Sequence, residues 1–330
     1  MPLSTRRFGR TGRTPTAIGF GAWAIGGSWG TVSEADAKAT LHAALDAGIT
    51  FLDTADVYGD GRSERLIRAV LAERGGPAPF VATKAGRRLS PHTADGYTLA
   101  NLEDFIDRSL TNLGVDSLDL VQLHCPPTEV YARPEVFGAL DSLVAKGKLQ
   151  AYGVSVEKID EALAALRQPG VVSVQIIYNV FRQRPAEMFF AQAQAHDVAV
   201  IARVPLASGL LSGRMTADSS FAADDHRSFN RHGEAFDMGE TFSGVPYDVA
   251  LAAVEKIRRL VPQGATMAQA ALRWILMEDA VSVVIPGARR PEQALSNAGA
   301  DALPPLAPET MQALREIYTM DIAPHVHHRW

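Results

Sequence analysis

Cysteine is nearly absent: one thiol, Cys125, occurs in 330 residues. That excludes an internal disulfide framework and fits a reducing compartment. Basic excess is missing too. Against 37 Asp and Glu stand 32 Lys and Arg, a net charge of −5. Nothing in that balance favours nucleic acid or an anionic membrane surface as a partner. No apolar run reaches the roughly eighteen residues of a spanning helix. The N-terminal stretch MPLSTRRFGRTGRTP has basic residues with no apolar core behind them, unlike a secretory signal. We therefore expect a cytoplasmic protein. What is present is ordinary globular material, 47% hydrophobic and 21% charged. The length is large for one core but within reach of a single (β/α)₈ TIM barrel with insertions, spanning 1–330.

Short apolar runs alternate with helical periodicity along the chain. Strands are expected at Ala17–Phe20, Ile49–Asp53, Phe80–Lys84, Leu118–His124, Leu149–Ser155, Val171–Gln175, Val198–Arg203 and Val281–Pro286. Helices are expected between them. One opens on the capping-box variant Ser33-Glu34-Ala35-Asp36, another spans Thr98–Leu113, and a third covers Pro185–His196. An appended helix, Pro308–Met320, follows the last unit. Such alternation implies a parallel sheet. No G-x-G-x-x-G follows the first strand, where an open dinucleotide-binding sheet needs one, so the sheet is read as a closed barrel. Arg7–Gly12 has hairpin-turn composition and is expected to plug the closed end. The segment from Pro205 to Pro246 has little periodicity and is too long for a passive connection. Its stretch Phe221–Phe236, carrying Asp224, Asp225, His226, Arg227 and Arg231, reads as a cofactor lid, with a disordered insertion as the alternative.

Four polar residues sit at or just beyond strand ends: Asp53 and Tyr58 in FLDTADVYG, Lys84 in FVATK, His124 in LVQLHCP. Delivered from three successive strands, they could meet at one barrel mouth. A free tyrosine titrates near ~10. Lys84 would lower that value, Asp53 would hold Lys84, and His124 would orient a carbonyl, which makes Tyr58 an acid for carbonyl reduction. Trp23, Trp29 and Cys125 are candidate pocket walls. His325, His327 and His328 in the terminal tail are read as packing or solvent-facing, and no metal is assigned.

The motifs IGFGAW, FLDTADVYG, ATKAG, VQLHCP, YGVS, QIIYN, VPLASGLLSGR and VIPGARRPEQ follow one another in order. In this order the chain resembles the aldo-keto reductases nearly end to end. The resemblance implies a (β/α)₈ barrel with NADPH lying extended across its mouth, and the tetrad Asp53, Tyr58, Lys84 and His124. Gly21, Ala22 and Trp23 would border the coenzyme in the first loop. Ser155 and Gln175 would fix the nicotinamide carboxamide, although the family usually has Asn where this chain has Val156. Arg203, where many members carry Tyr and others Arg, would lie over the ring or pair with the phosphates. Pro205, Leu206, Ser208, Leu210 and Ser212 would bring backbone to the pyrophosphate, with Arg214 as countercharge. Gly287, Ala288 and Arg289 open a helix, where Arg289 could clamp a 2′-phosphate and Gln293 and Asn297 reach adenine. On that basis NADP(H) is favoured over NAD(H). The expected activity is reversible reduction of aldehydes or ketones, acting on a small carbonyl or alcohol. The alternative is a cofactor-binding regulatory subunit of the same fold, like the family's ion-channel β-subunits; the lack of a long N-terminal extension favours the enzyme.

Overall fold

Eight short strands pair side by side in chain order, all parallel: β1 Phe20–Gly21, β2 Phe51–Asp53, β3 Phe80–Ala85, β4 Leu120–His124, β5 Tyr152–Ser155, β6 Val171–Ile177, β7 Ala199–Arg203 and β8 Val281–Val284. They come from a computed structural model that describes residues 2–330. Parallel bridges Ile18–Val284 and Gly21–Gly287 join the last strand to the first and close the barrel. Helices follow the strands and cover the outside. Hydroxyl caps start several of them. Ser33 Oγ accepts from Asp36 N at 3.0 Å, Thr98 Oγ1 from Asn101 N at 3.3 Å, and Thr266 Oγ1 from Gln269 N at 3.2 Å.

Side chains alternate along a strand, so every second residue faces the interior. At the N-terminal end the inward set is apolar: Phe51, Phe80, Leu120 and Ala199 form one cluster, with Ala82, Ile201 and Val283 above them. Two residues further along the same period stand Asp53, Lys84, Gln122 and Arg203. The strand period thus turns one end of the barrel into packing and the other into chemistry.

Several elements differ from the sequence reading. The first strand is shorter and begins at Phe20; Ile18 contributes only an isolated bridge. The N-terminal hairpin reduces to one antiparallel bridge, Thr5–Thr16, around a tight turn at Gly9–Thr11. It plugs the closed end as expected, through Phe8, whose ring lies 5.5 Å from Phe51 and 5.0 Å from Phe80. The helix expected at Pro185–His196 is broken into a turn, Arg184–Ala186, and a helix, Phe189–Ala195, because Met188 (φ −140°, ψ −45°) leaves the helical region. The appended helix Pro308–Ile317 continues through a wide turn, Tyr318–Ile322, into Ala323–Val326. The tail beyond packs rather than facing solvent at its last residue: Trp330 is buried, donates to Asp237 and stacks under Arg182 at 3.9 Å. The Pro205–Pro246 segment is folded, with short helical turns at Ala207–Ser212, His226–Phe229, Met238–Glu240 and Phe242–Gly244. No helix among the described residues is long and apolar enough to cross a membrane.

Candidate active site

Asp53 is the centre of the mouth. One carboxylate oxygen accepts from Lys84 Nζ at 2.5 Å; the other accepts from Gln175 Nε2 at 2.7 Å and Gln122 Nε2 at 3.1 Å. Lys84 also donates to the Thr54 carbonyl at 3.0 Å and to the Tyr58 hydroxyl at 3.3 Å. All three ammonium protons therefore have acceptors. Tyr58 reaches this point from the loop after β2. A Cβ on Gly26 would fall 2.7 Å from Tyr58 Cβ, so only glycine there lets the first loop pass beneath the tyrosine. Trp23 stacks on the ring at 6.0 Å, and the His124 ring meets it edge-on at 5.9 Å. The four residues expected to converge do so.

Burial decides the charge states. It outweighs the nearby ammonium and raises the Tyr58 pKa, so the expected lowering by Lys84 is not the net effect; the phenol keeps its proton. Burial also acts against the Lys84 charge, but Asp53 and Tyr58 outweigh it, so the pKa rises and the ammonium is held. His124 is pushed well below its ordinary value, first by burial and then by Arg87, Lys84 and Arg203. Its imidazole is neutral at pH 7, and neither ring nitrogen has a protein partner among the described residues; Nδ1 is fully buried. A neutral phenol, a held ammonium and an uncommitted imidazole border one space, which is the inventory for delivering a proton to a carbonyl oxygen.

That space is a cavity of about 920 Å³. Its wall includes Gly21, Trp23, Trp29, Cys125, Ser155, Pro205, Leu206, Ser208, Ser212, Arg214, Gly287, Ala288, Arg289 and Gln293 from the expected set. Ala22, Leu210 and Asn297 lie behind the wall. Ala22 and Leu210 are fully buried, and Asn297 donates to the Gly287 carbonyl at 3.2 Å. Two of the expected coenzyme contacts have protein partners of their own. The Gln175 amide nitrogen is committed to Asp53 and, at 3.2 Å, to Gln122. Arg203 lines the cavity with its guanidinium engaged: it donates to Glu240 at 2.5 Å and to the Val156 carbonyl at 2.8 Å, the position where this chain departs from the family's Asn.

The folded loop covers one side of the cavity. His226, its pKa lowered to about 4 chiefly by burial, packs 4.7 Å from Trp23 and 4.4 Å from Trp29. Arg227 pairs with Asp225 at 2.5 Å and lies over Phe221 at 4.4 Å. Sequence reasoning missed Gln122, Arg87, Glu157 and Glu240. Gln122 had a signal, standing two residues before His124 on the same inward face. Glu240 had none, since its partner is 37 residues away.

Residues 17–319 match the Aldo/keto reductase family. An aldo-keto reductase of Bacillus subtilis, YhdN, is 31% identical over 86% of this chain and 84% of its own. The Schizosaccharomyces pombe protein named aldo-keto reductase yakc [NADP(+)] is 29% identical over 96% of this chain and 92% of its own. Among solved structures, a glycerol dehydrogenase of Gluconobacter oxydans superposes with a TM-score of 0.78 at 28% identity, covering 99% of this chain and 97% of the other. The barrel, the tetrad at its mouth and these matches agree, and the chain belongs to the aldo/keto reductase family of NAD(P)-dependent oxidoreductases acting on carbonyl and alcohol groups.

Proposed function

We propose that the protein reversibly reduces aldehydes or ketones to alcohols with NADPH, with Tyr58 as the general acid. The observation that carries this reading is the Tyr58 hydroxyl, 3.3 Å from an ammonium that is itself fixed by Asp53 at 2.5 Å. The phenol is protonated, as a donor must be, and Lys84 stabilises the phenolate left when the proton is given up. His124, neutral and uncommitted, can donate a hydrogen bond to the same substrate oxygen. The oxygen would thus meet two donors as negative charge develops on it.

The residues present fit a dinucleotide. The cavity volume lies in the range of about 300–1,000 Å³ typical of ligand sites. It takes in Asp53, Tyr58 and His124 of the tetrad, and Arg289 and Gln293 at the start of the helix Pro291–Ala298, where Pro291 has no amide proton, Gln293 N is bonded to the Arg290 carbonyl, and the Glu292 amide is left for an anion. Bound there, NADPH supplies the hydride. The Arg289 guanidinium has one weak hydrogen bond among the described residues, 3.4 Å to the Thr31 carbonyl, leaving donors for a 2′-phosphate. Arg214 faces the same cavity. Ser155 and Gln175 line the cavity too and would orient a carboxamide.

The experiment is Tyr58→Phe. NADPH affinity, read by fluorescence, is expected to be unchanged, and aldehyde turnover to fall by ~10²-fold or more. Retention of more than about a tenth of turnover would remove Tyr58 as the acid.

A further inference from the structure

Where β3 and β5 end, the cavity wall carries an ion pair that the tetrad does not use. Arg87 follows the end of β3 and Glu157 follows the end of β5. The strand between them, β4, ends in His124, so the pair straddles the residue that faces the reacting oxygen. Arg87 Nη2 donates to Glu157 Oε1 at 3.0 Å. No other polar atom of either side chain has a hydrogen-bond partner among the described residues, and both side chains line the cavity, about one-fifth exposed. The pair thus offers a donor fork and a carboxylate acceptor side by side, with the aromatic rings of Trp23 and Phe236 in the same wall.

Three kinds of substrate can be weighed against that surface. An anionic one would find Arg87 and Arg203 already paired with Glu157 and Glu240, and would meet those two acids and Asp237, whose repulsion helps burial push Glu157 up to about 7 against the two arginines. An apolar one would strip water from an ion pair and return nothing. A hydroxyl both gives and accepts a hydrogen bond, so neighbouring hydroxyls match a neighbouring donor and acceptor. Resting on the carbonyl-reductase reading, we infer that Arg87 and Glu157 select neutral polyhydroxylated carbonyl compounds, binding hydroxyl groups close to the carbonyl that Tyr58 and His124 face.

Glyceraldehyde and propanal share a three-carbon skeleton and differ by those hydroxyls. The measurement is kcat/KM with NADPH for each, corrected for hydrated carbonyl, in the wild type, Arg87→Met and Glu157→Gln. A site built to bond hydroxyls discriminates strongly against analogues that lack them, so the wild-type ratio should exceed ~10 in favour of glyceraldehyde. Each variant should bring it towards one. Glu157→Gln keeps the side-chain shape and decides the matter if Arg87→Met does not fold. A wild-type ratio near one, an unmoved ratio in a folded variant, or preference for succinic semialdehyde over both would overturn the inference while leaving carbonyl reduction intact. Failure to oxidise NADPH with any of the three aldehydes would instead sink the carbonyl-reductase reading beneath it.

Discussion

Asp56, two residues before the proposed acid, is fully buried, and neither carboxylate oxygen has a hydrogen-bond partner among the described residues. Burial, with Glu64 nearby, pushes its pKa up to about 7 from the ordinary 3.8. Between those values the folded chain holds a proton that the unfolded chain has released, so this group makes stability fall as pH rises. Asp56→Asn removes the effect. Urea unfolding should show the variant gaining about 2–3 kcal/mol on the wild type between pH 5 and pH 8, at ~1.4 kcal/mol per unit of pKa. Parallel pH curves would mean that the carboxyl stays ionised. Arg289 makes a second prediction at this scale. Arg289→Ala should cost NADPH binding roughly 1.5–3 kcal/mol and NADH binding far less, because only NADPH carries the 2′-phosphate. Equal losses, by fluorescence titration, would assign Arg289 to folding. The tetrad was legible because polar residues ended apolar runs. Its charge states were not, because the balance between Lys84 and burial at Tyr58 depends on how deeply the mouth is enclosed.

At the scale of elements, the long loop after β7 behaves as two pieces. Its distal part is tied down by buried polar contacts: Glu240 to Arg203, Phe242 N to Ser208 Oγ at 3.0 Å, and Asn179 Nδ2 to Ser243 Oγ at 2.9 Å. Its proximal part, from Met215 to Asp224, is exposed or half-buried with few such anchors, and ends where Asp225 bridges to Trp29 and His226 N donates to the Ser28 carbonyl at 2.9 Å. Hydrogen exchange without coenzyme should therefore be slow at Thr241–Val245 and fast at Met215–Asp224. Saturating NADPH should slow the second region and leave the first unchanged. Slow exchange throughout before coenzyme is added would make the loop a fixed wall rather than a lid. Length and missing periodicity announced the loop in the sequence. Its anchors were invisible there, since each joins residues that only the barrel brings together. The same limit applies to the broken helix at Met188, where no proline or glycine marks the break.

For the molecule as a whole, alternation of strand and helix was enough to give the barrel and its strand order, because every parallel pairing except the one that closes the barrel joins neighbours in the chain. Stability and chemistry then separate along the barrel axis. Phe8 fills the closed end against Phe51 and Phe80, at the far end of the strands from Tyr58. Phe8→Ala should cost about 3–5 kcal/mol in urea unfolding through the cavity it leaves. Its kcat/KM should stay within about twofold of the wild type, and a large loss of activity at preserved stability would show that the two ends are coupled. Asp53 has the opposite character. Its carboxylate joins side chains from β2, β3, β4 and β6, half of the strands, in one knot. Losing Gln175 alone removes a donor from that carboxylate in a buried site, and losing Gln122 alone does the same, so such changes are costly singly and strongly non-additive together. For a lineage that accumulates substitutions one at a time, these sites form a ratchet: β4 and β6 can drift there only by passing through a damaged ancestor or by changing in step.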